Sequence, residues 1–397
     1  MNGVEKENDR INVLYEELVA VRRRLHACPE LDFDLKETAG IVGGQLDSLG
    51  IPWRFVAGTG IAALLEGKEP GRTVLLRADM DALPVEEEWE VPWRSRYPGR
   101  MHACGHDVHT ACLLGAARRL TERRADFAGR VLFVFQPAEE TSGGALPMIL
   151  DGLLERTSPD GAFALHCDPS RPAGTVGVHL GAVRAASDMF DCVVRGRGTH
   201  GAEPHNGDDV IALACRVVGA LHELVGRTVS PAEPAVLSVG SFHGGSARNV
   251  LPERVVFSGI LRTMKQETRI ALKARIRRTV MNIPDVLGAV GEVTFTEGYP
   301  VLVNDPELAD LVLRAAAEVL GEENVSVLMD PSMGVDDFSY FLQRMPGCYF
   351  MLGTGSGKGE DAPLHSPRFN PDERCLAVGT DVLVRTALSF LAGDYQK

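Results

Sequence analysis

Apolar positions recur along this chain in two rhythms. Ile11, Leu14, Leu18, Val21 and Leu25 repeat at three- and four-residue intervals, which predicts an amphipathic helix. A second helical stretch covers residues 37–49 and stops at Gly50, with Pro52 beyond it. Short apolar runs at 61–65, 73–78, 130–135 and 161–165 read as buried strands, with a helical segment at 110–121 among them. Strands alternating with helices predict an α/β fold: a mainly parallel central sheet with helices on both faces.

Around Ala185 the rhythm changes. Strand patterns at 189–194, 235–242, 254–262 and 292–296 enclose helical patterns at 208–225 and 267–280. Strand, helix, strand, strand, helix, strand is the order of a small split α+β domain. From Tyr299 the α/β pattern resumes. It comprises a helix at 306–320, a strand at 325–329, a helix opened by Gly334-Val335-Asp336-Asp337-Phe338, a strand at 348–352 and a last helix at 371–392. The expected organisation is therefore one α/β domain in two parts, 1–185 and 298–397, interrupted by an inserted domain at 186–297.

Composition narrows the function classes. A chain of 397 residues suits two domains, and 45% hydrophobic with 24% charged residues is ordinary for a globular protein. No run of eighteen apolar residues suggests a membrane span, and residues 1–10 lack the apolar centre of a signal peptide, so a cytoplasmic location and no membrane partner are expected. The net charge of −13 argues against a nucleic-acid partner. Eight cysteines are scattered singly, with no Cys-x-x-Cys, and are expected as free thiols. Cys28, Cys167, Cys192, Cys215 and Cys348 fall in helix or strand patterns, as small apolar fillers would.

The chemistry concentrates in Met101-His102-Ala103-Cys104-Gly105-His106-Asp107-Val108-His109-Thr110, where a loop enters a predicted helix. Cys104 and His106 flank one glycine, so a thiolate and an imidazole can point into one space. Sulfur, imidazole and carboxylate together suit a borderline divalent cation. More candidates follow strand ends: Asp79 and Asp81, the pair Glu139-Glu140, and His166. Adjacent residues on extended chain face opposite ways, so one of Glu139 and Glu140 can face a metal and the other a substrate. Carboxyl ends of strands are where open α/β sheets bind ligands. His365 lies in a loop between Pro363 and Pro367.

These residues stand within a longer series of motifs: 26–31, 77–84, 101–109, 135–140, 195–205, 249–252, 261–263, 336–338 and 364–367. In this order they resemble the M20 metallopeptidase superfamily, and within it the branch of N-acyl-amino-acid amidohydrolases, hippurate hydrolases and auxin-conjugate hydrolases. The resemblance implies a zinc-aminopeptidase-like catalytic domain with an inserted ferredoxin-like lid that also forms a homodimer. It implies two divalent ions, zinc or manganese, with cobalt and nickel also compatible. Cys104, His106, Glu140, His166 and His365 match the five ligands, and Glu139 matches the general base. His200 matches a lid histidine that reaches the scissile carbonyl in the other subunit's site. Asn249 and Arg262 are similar to lid residues that hold the substrate carboxylate or support the dimer. Asp79 matches the aspartate that orients a ligand histidine in other branches, where Arg77 is replaced by that histidine.

The implied reaction is hydrolysis of an N-acyl amino acid to a carboxylic acid and a free amino acid, with a small molecule as the substrate partner. Water acidified by the two cations would lose its proton to Glu139. A deacetylase for N-acetyl-diaminopimelate and a short-peptide peptidase share the same residues, and a substrate panel separates them. A non-catalytic metal-binding protein is the reading from another class; it predicts a replaced base or ligand, and none is replaced.

Overall fold

The computed structural model describes residues 3–394, with side chains from residue 14 onward, so the Ile11 side chain lies outside the described residues. The chain divides into two compact units. One comprises Met1–Gly181, Val303–Asp330 and Tyr340–Lys397, the other Ala182–Leu302 and Pro331–Ser339.

The first unit is organised on an eight-stranded sheet. Its order is Trp53–Val56, Gly60–Glu66, Arg130–Gln136, Thr73–Asp79, Gly161–Pro172, Gly347–Gly355, Val176–His179 and Val325–Leu328. The four central strands, from Arg130–Gln136 to Gly347–Gly355, run parallel. Gly60–Glu66 and Val176–His179 run against them on either side. Central parallel strands read as unbroken apolar runs because both faces are covered, and every residue of Thr73–Asp79 is buried. This is the expected mainly parallel α/β architecture.

The helices Gly3–His26, His106–Glu122 and Cys375–Ala392 pack on one another. Leu18, Leu25, Leu113, Leu120, Leu383 and Phe390 meet in one core with the sheet. Cys375–Ala392 is, among the described residues, the one helix long and apolar enough to cross a membrane. Asp381 and Arg385 interrupt its apolar sequence, and 61% of it is buried inside the unit, as a core helix would be.

One feature of the sheet differs from the sequence expectation and positions the site. The strand expected to end at Leu165 continues as Gly161–Pro172. It stays paired with Gly347–Gly355 as far as Pro172, but its pairing with Thr73–Asp79 stops at Ala164. His166 and Cys167 therefore stand where one flank has lost its neighbouring strand.

The second unit carries an antiparallel four-stranded sheet in the order Ala235–Gly244, Arg254–Thr263, Ala186–Arg195 and Val290–Glu297. With the helices Val210–Thr228 and Gln266–Asp285 the chain order is strand, helix, strand, strand, helix, strand, the ferredoxin-like arrangement. Phe190, Cys192 and Val194 alternate inward on Ala186–Arg195 and pack on Leu213, Val217, Leu272 and Ile276. Cys215, in contrast to the filler expected, is exposed on Val210–Thr228. The segment Pro331–Ser339 joins this unit through Ser332 N–H on the Val183 carbonyl (3.0 Å) and Ala185 N–H on the Gly334 carbonyl (2.9 Å).

The helix expected to open at 334–338 is reduced to Ser339–Leu342. The Asp336 carboxylate accepts the Phe338 N–H at 2.8 Å and its carbonyl the Ser339 N–H at 3.3 Å. Such local bonds from an aspartate compete with helical ones.

Candidate metal centre

The helix His106–Glu122 begins at His106 itself, capped by Gly105 in the left-handed region at φ 84°. A side chain at 105 would be strained there, and its Cβ would lie 2.7 Å from Cys167 Sγ. The glycine thus allows Cys104 and His106 to emerge from one turn. Two loops close on that turn. Leu83 and Met101 exchange both backbone hydrogen bonds at 3.0 Å, and Ala103 accepts the His365 N–H at 2.8 Å.

Cys104 Sγ lies 3.3 Å from His365 Nε2 and 3.6 Å from His166 Nε2. Glu140 Oε1 lies 3.5 Å from His365 Nε2 and 3.6 Å from His106 Nε2. These donors form two triads, Cys104 with His106 and His166, and Cys104 with Glu140 and His365, which share the sulfur. A third cluster joins His106, Glu139 and Glu140. Five of the sequence-identified residues, and Glu139 beside them, are thus brought together from loops and strand ends of the first unit.

Buried polar atoms are normally hydrogen-bonded. Neither ring nitrogen of the fully buried His106 has a hydrogen-bond partner, nor has Glu140 Oε1. Orphaned imidazole and carboxylate atoms around a thiol are a donor set that fits borderline divalent ions. His166 is oriented for the same task. Its Nδ1–H faces the Cys167 carbonyl at 2.9 Å, which leaves the Nε2 lone pair on the side of Cys104.

Behind the triads sits a polar chain. His109 Nε2 accepts the Cys167 N–H at 2.9 Å, so its proton is on Nδ1 and is donated to Asp79 Oδ1 at 2.6 Å. Arg77, buried in the strand Thr73–Asp79, donates to Asp79 Oδ2 at 2.7 Å and to Gln136 Oε1 at 2.9 Å. Asp79 therefore bonds to His109 and Arg77, and approaches His106 Nε2 only to 3.6 Å. Asp81, to which the sequence reading assigns no contact, does more. Its two oxygens accept the N–H groups of Glu139 (2.9 Å) and Glu140 (3.0 Å), and Oδ1 lies 3.4 Å from His106 Nδ1. The signal in the sequence is the i, i+2 carboxylate pair just past a strand end.

Burial dominates the electrostatics here. It pushes the Cys104 thiol well up, reinforced by Glu140. It opposes ionisation of Asp79, yet Arg77, His106 and His109 hold that carboxyl well below its usual range. Burial raises Asp81 against the pull of His106 and the two amides. For His106 burial favours the neutral ring, but Asp79 and Asp81 carry its pKa well above the usual value. Burial also opposes the ionised form of Glu140, which His365 and His106 nevertheless favour.

A second buried network braces the same helix. Asp107 Oδ2 is 2.8 Å from both Arg22 Nε and His26 Nδ1, and His26 Nε2 is 3.2 Å from Glu87 Oε1. Burial and Arg22 work against a charged His26, but Asp107 and Glu87 outweigh them and raise its pKa.

In the second unit, His200 and Asn249 come together in one loop pair. His200 pairs with Val250, and Gly201 N–H donates to the Asn249 carbonyl at 2.8 Å. Arg262 lies on the sheet, opposite Val236 and Ser187, half-buried and with Nη1 unpaired.

Known proteins resemble this chain along nearly its whole length. A thermostable carboxypeptidase 2 from Saccharolobus solfataricus is 37% identical over 396 residues, covering 98% of this chain and 99% of its own. An N-acetyl-L-cysteine deacetylase from Bacillus subtilis is 37% identical, over 98% of this chain and 92% of its own. A crystal structure from Bacillus subtilis, described as a dinuclear metal-binding peptidase from the M20 family, superposes with a TM-score of 0.85 at 32% identity, over 96% of this chain and 99% of its own. Residues 75–389 match the sequence pattern of peptidase family M20/M25/M40. With that match over most of its length, and with relatives alike from end to end, the chain belongs to the M20/M25/M40 family of metal-dependent hydrolases.

Proposed function

We propose that this chain hydrolyses the amide bond of N-acyl amino acids, releasing a carboxylic acid and a free amino acid. The observation that carries the reading is the pair of donor triads sharing Cys104 Sγ, with the buried Glu139 in the adjoining cluster. In this proposal Cys104, His106, Glu140, His166 and His365 hold two divalent ions, zinc or manganese. Bound there, the ions acidify water and polarise the scissile carbonyl.

The remaining steps belong to the chain. The Glu139 carboxylate takes the proton of the attacking water and passes it to the leaving amine nitrogen, a role worth about a hundred- to ten-thousand-fold in rate. His200 of one subunit donates to the developing oxyanion in the other subunit's site, a contribution of roughly 3 kcal/mol for such donors. The Arg262 guanidinium, with a free Nη1, binds the substrate carboxylate with support from Asn249. The second unit also joins two copies of the chain in a homodimer, which sedimentation equilibrium would test.

The deciding experiment is Glu139→Gln, assayed for amine release and for metal content. Turnover should fall by about a hundredfold or more while both metals remain bound; near-normal turnover would remove Glu139 from the mechanism. A panel of N-acetyl, N-benzoyl and long-chain acyl amino acids, N-acetyl-diaminopimelate and dipeptides, with each metal restored singly, then defines the acyl group. Cleavage confined to dipeptides would replace the amidohydrolase assignment with a peptidase.

A further inference from the structure

We infer that the sheet face around Arg262 selects the amino-acid half of the substrate, and that Val236, Ile260 and Met189 make it select an apolar side chain. The inference deepens the proposed function, since it rests on Arg262 holding the substrate carboxylate.

Directly opposed residues of an antiparallel sheet share a face, and so do residues two apart on one strand. Arg262 is opposed by Val236 on one side and Ser187 on the other. Ile260, two residues along the strand, is opposed by Met189. Phe190 and Leu261 take the alternate positions and pack in the core with the two helices. Arg262 therefore stands on the face that the helices leave uncovered, and its Nη1 has no hydrogen-bond partner among the described residues. The apolar side chains beside it, Val236, Ile260 and Met189, are all exposed. The patch ends one residue pair further on, where Ser258 faces Asp191.

This arrangement sorts side chains by polarity. With the α-carboxylate of an amino acid on the guanidinium, the side chain on the adjoining carbon falls over the Ile260–Met189 pair, about 7 Å along the sheet from Arg262. An alkyl or thioether group there releases water from both residues. A side-chain carboxylate in the same place loses hydration, with the guanidinium already engaged and Asp191 as the next charge along the strand. An ammonium meets the like charge of Arg262.

The test compares kcat/KM for N-acyl derivatives of leucine, methionine, aspartate and lysine, all with one acyl group, on the metal-loaded full chain. Leucine and methionine derivatives should exceed the other two by about tenfold or more, chiefly through KM. Met189→Lys should lower the leucine-to-aspartate ratio by about tenfold, whereas Met189→Leu should keep it. Met189 is 52% exposed, so its variants should melt close to wild type. Ile260→Asn is the second variant should Met189→Lys not fold, and it should lower the ratio in the same direction. Equal kcat/KM for leucine and aspartate derivatives in wild type would overturn the inference, and so would a wild-type ratio in these variants. Cleavage confined to dipeptides would end the amidohydrolase reading but not this one. The comparison then uses glycyl-leucine and glycyl-aspartate, whose terminal carboxylate takes the same place. Should nothing be cleaved, calorimetric titration with N-acetyl-leucine and N-acetyl-aspartate decides, and leucine binding no tighter than aspartate would overturn the inference.

Discussion

Gly105→Ala tests the turn on which the whole centre depends. At φ 84° an alanine costs about 1–2 kcal/mol in the left-handed region. Its Cβ would also stand 2.7 Å from Cys167 Sγ, 3.2 Å from Cys167 Cβ and 3.4 Å from Phe369 Cε1, all fully buried neighbours. Overpacking of that kind adds about 1–3 kcal/mol, for a sum of roughly 2–5 kcal/mol. Gly50→Ala is the internal control. It too has positive φ, at 66°, but nothing lies within 4 Å of an added Cβ. It should cost only the backbone share, about 1–2 kcal/mol. Thermal melts of the metal-free protein separate the two, at about 2–4 °C per kcal/mol for domains of 150–250 residues. Gly105→Ala should melt several degrees below Gly50→Ala, and its Co²⁺ affinity should fall because Cys104 and His106 are pushed apart. Equal melting temperatures in the two variants would refute the claim that the Cys104-Gly105-His106 turn is packed to its limit against Cys167.

The second buried network yields two further tests. Its His26 has a raised folded pKa, caused by Asp107 and Glu87 against burial and Arg22. The stabilisation it provides is fully present below the unfolded value of about 6.5 and is lost as pH rises through the folded value. Denaturation followed from about pH 6 to pH 9 should therefore show wild type losing its advantage over His26→Gln, and parallel curves would dismiss the linkage. Arg22→Met removes the guanidinium 2.8 Å from the buried Asp107, leaves it His26 as its remaining cationic partner, and should cost up to about 3–5 kcal/mol. Arg23→Met removes a part-exposed partner of Glu373 that also stacks on Trp93, and should cost about 1–2 kcal/mol; similar melting temperatures for the two would contradict the ranking.

Much of the first unit was legible because its strands are apolar runs ended by chemistry. The runs at 73–78 and 130–135 correspond to Thr73–Asp79 and Arg130–Gln136, and the residues just after them reach the centre. What stayed hidden depends on partners distant in sequence. Nothing local in Pro169-Ser170-Arg171-Pro172 announces a strand; pairing with Gly347–Gly355 makes it one. The short strand Trp53–Val56 likewise exists through its pairing with Gly60–Glu66. Asp336 and Asp337 suggested a helix N-terminus, but Asp336 bonds to the next turn of chain and shortens the helix. At the site, the residues that the resemblance singled out, Cys104, His106, Glu140, His166 and His365, are ones that the fold gathers around the Cys104 sulfur. The division of labour between Asp79 and Asp81 was not legible, because it turns on which backbone amides lie within 3 Å of each carboxylate.

The hydrogen bond from His365 N–H to the Ala103 carbonyl has a consequence for how the protein is made. His365 and Cys104, 3.3 Å apart in the folded chain, are separated by 261 residues. At roughly 5–20 residues per second of synthesis, about 13–50 s pass between the emergence of one and the other. During that interval the ribosome completes the whole second unit, Ala182–Leu302 and Pro331–Ser339, while Cys104 and His106 wait for their last neighbour. The centre can reach its full donor set only after His365 has emerged, so its assembly follows the synthesis of the second unit rather than serving as a nucleus for folding.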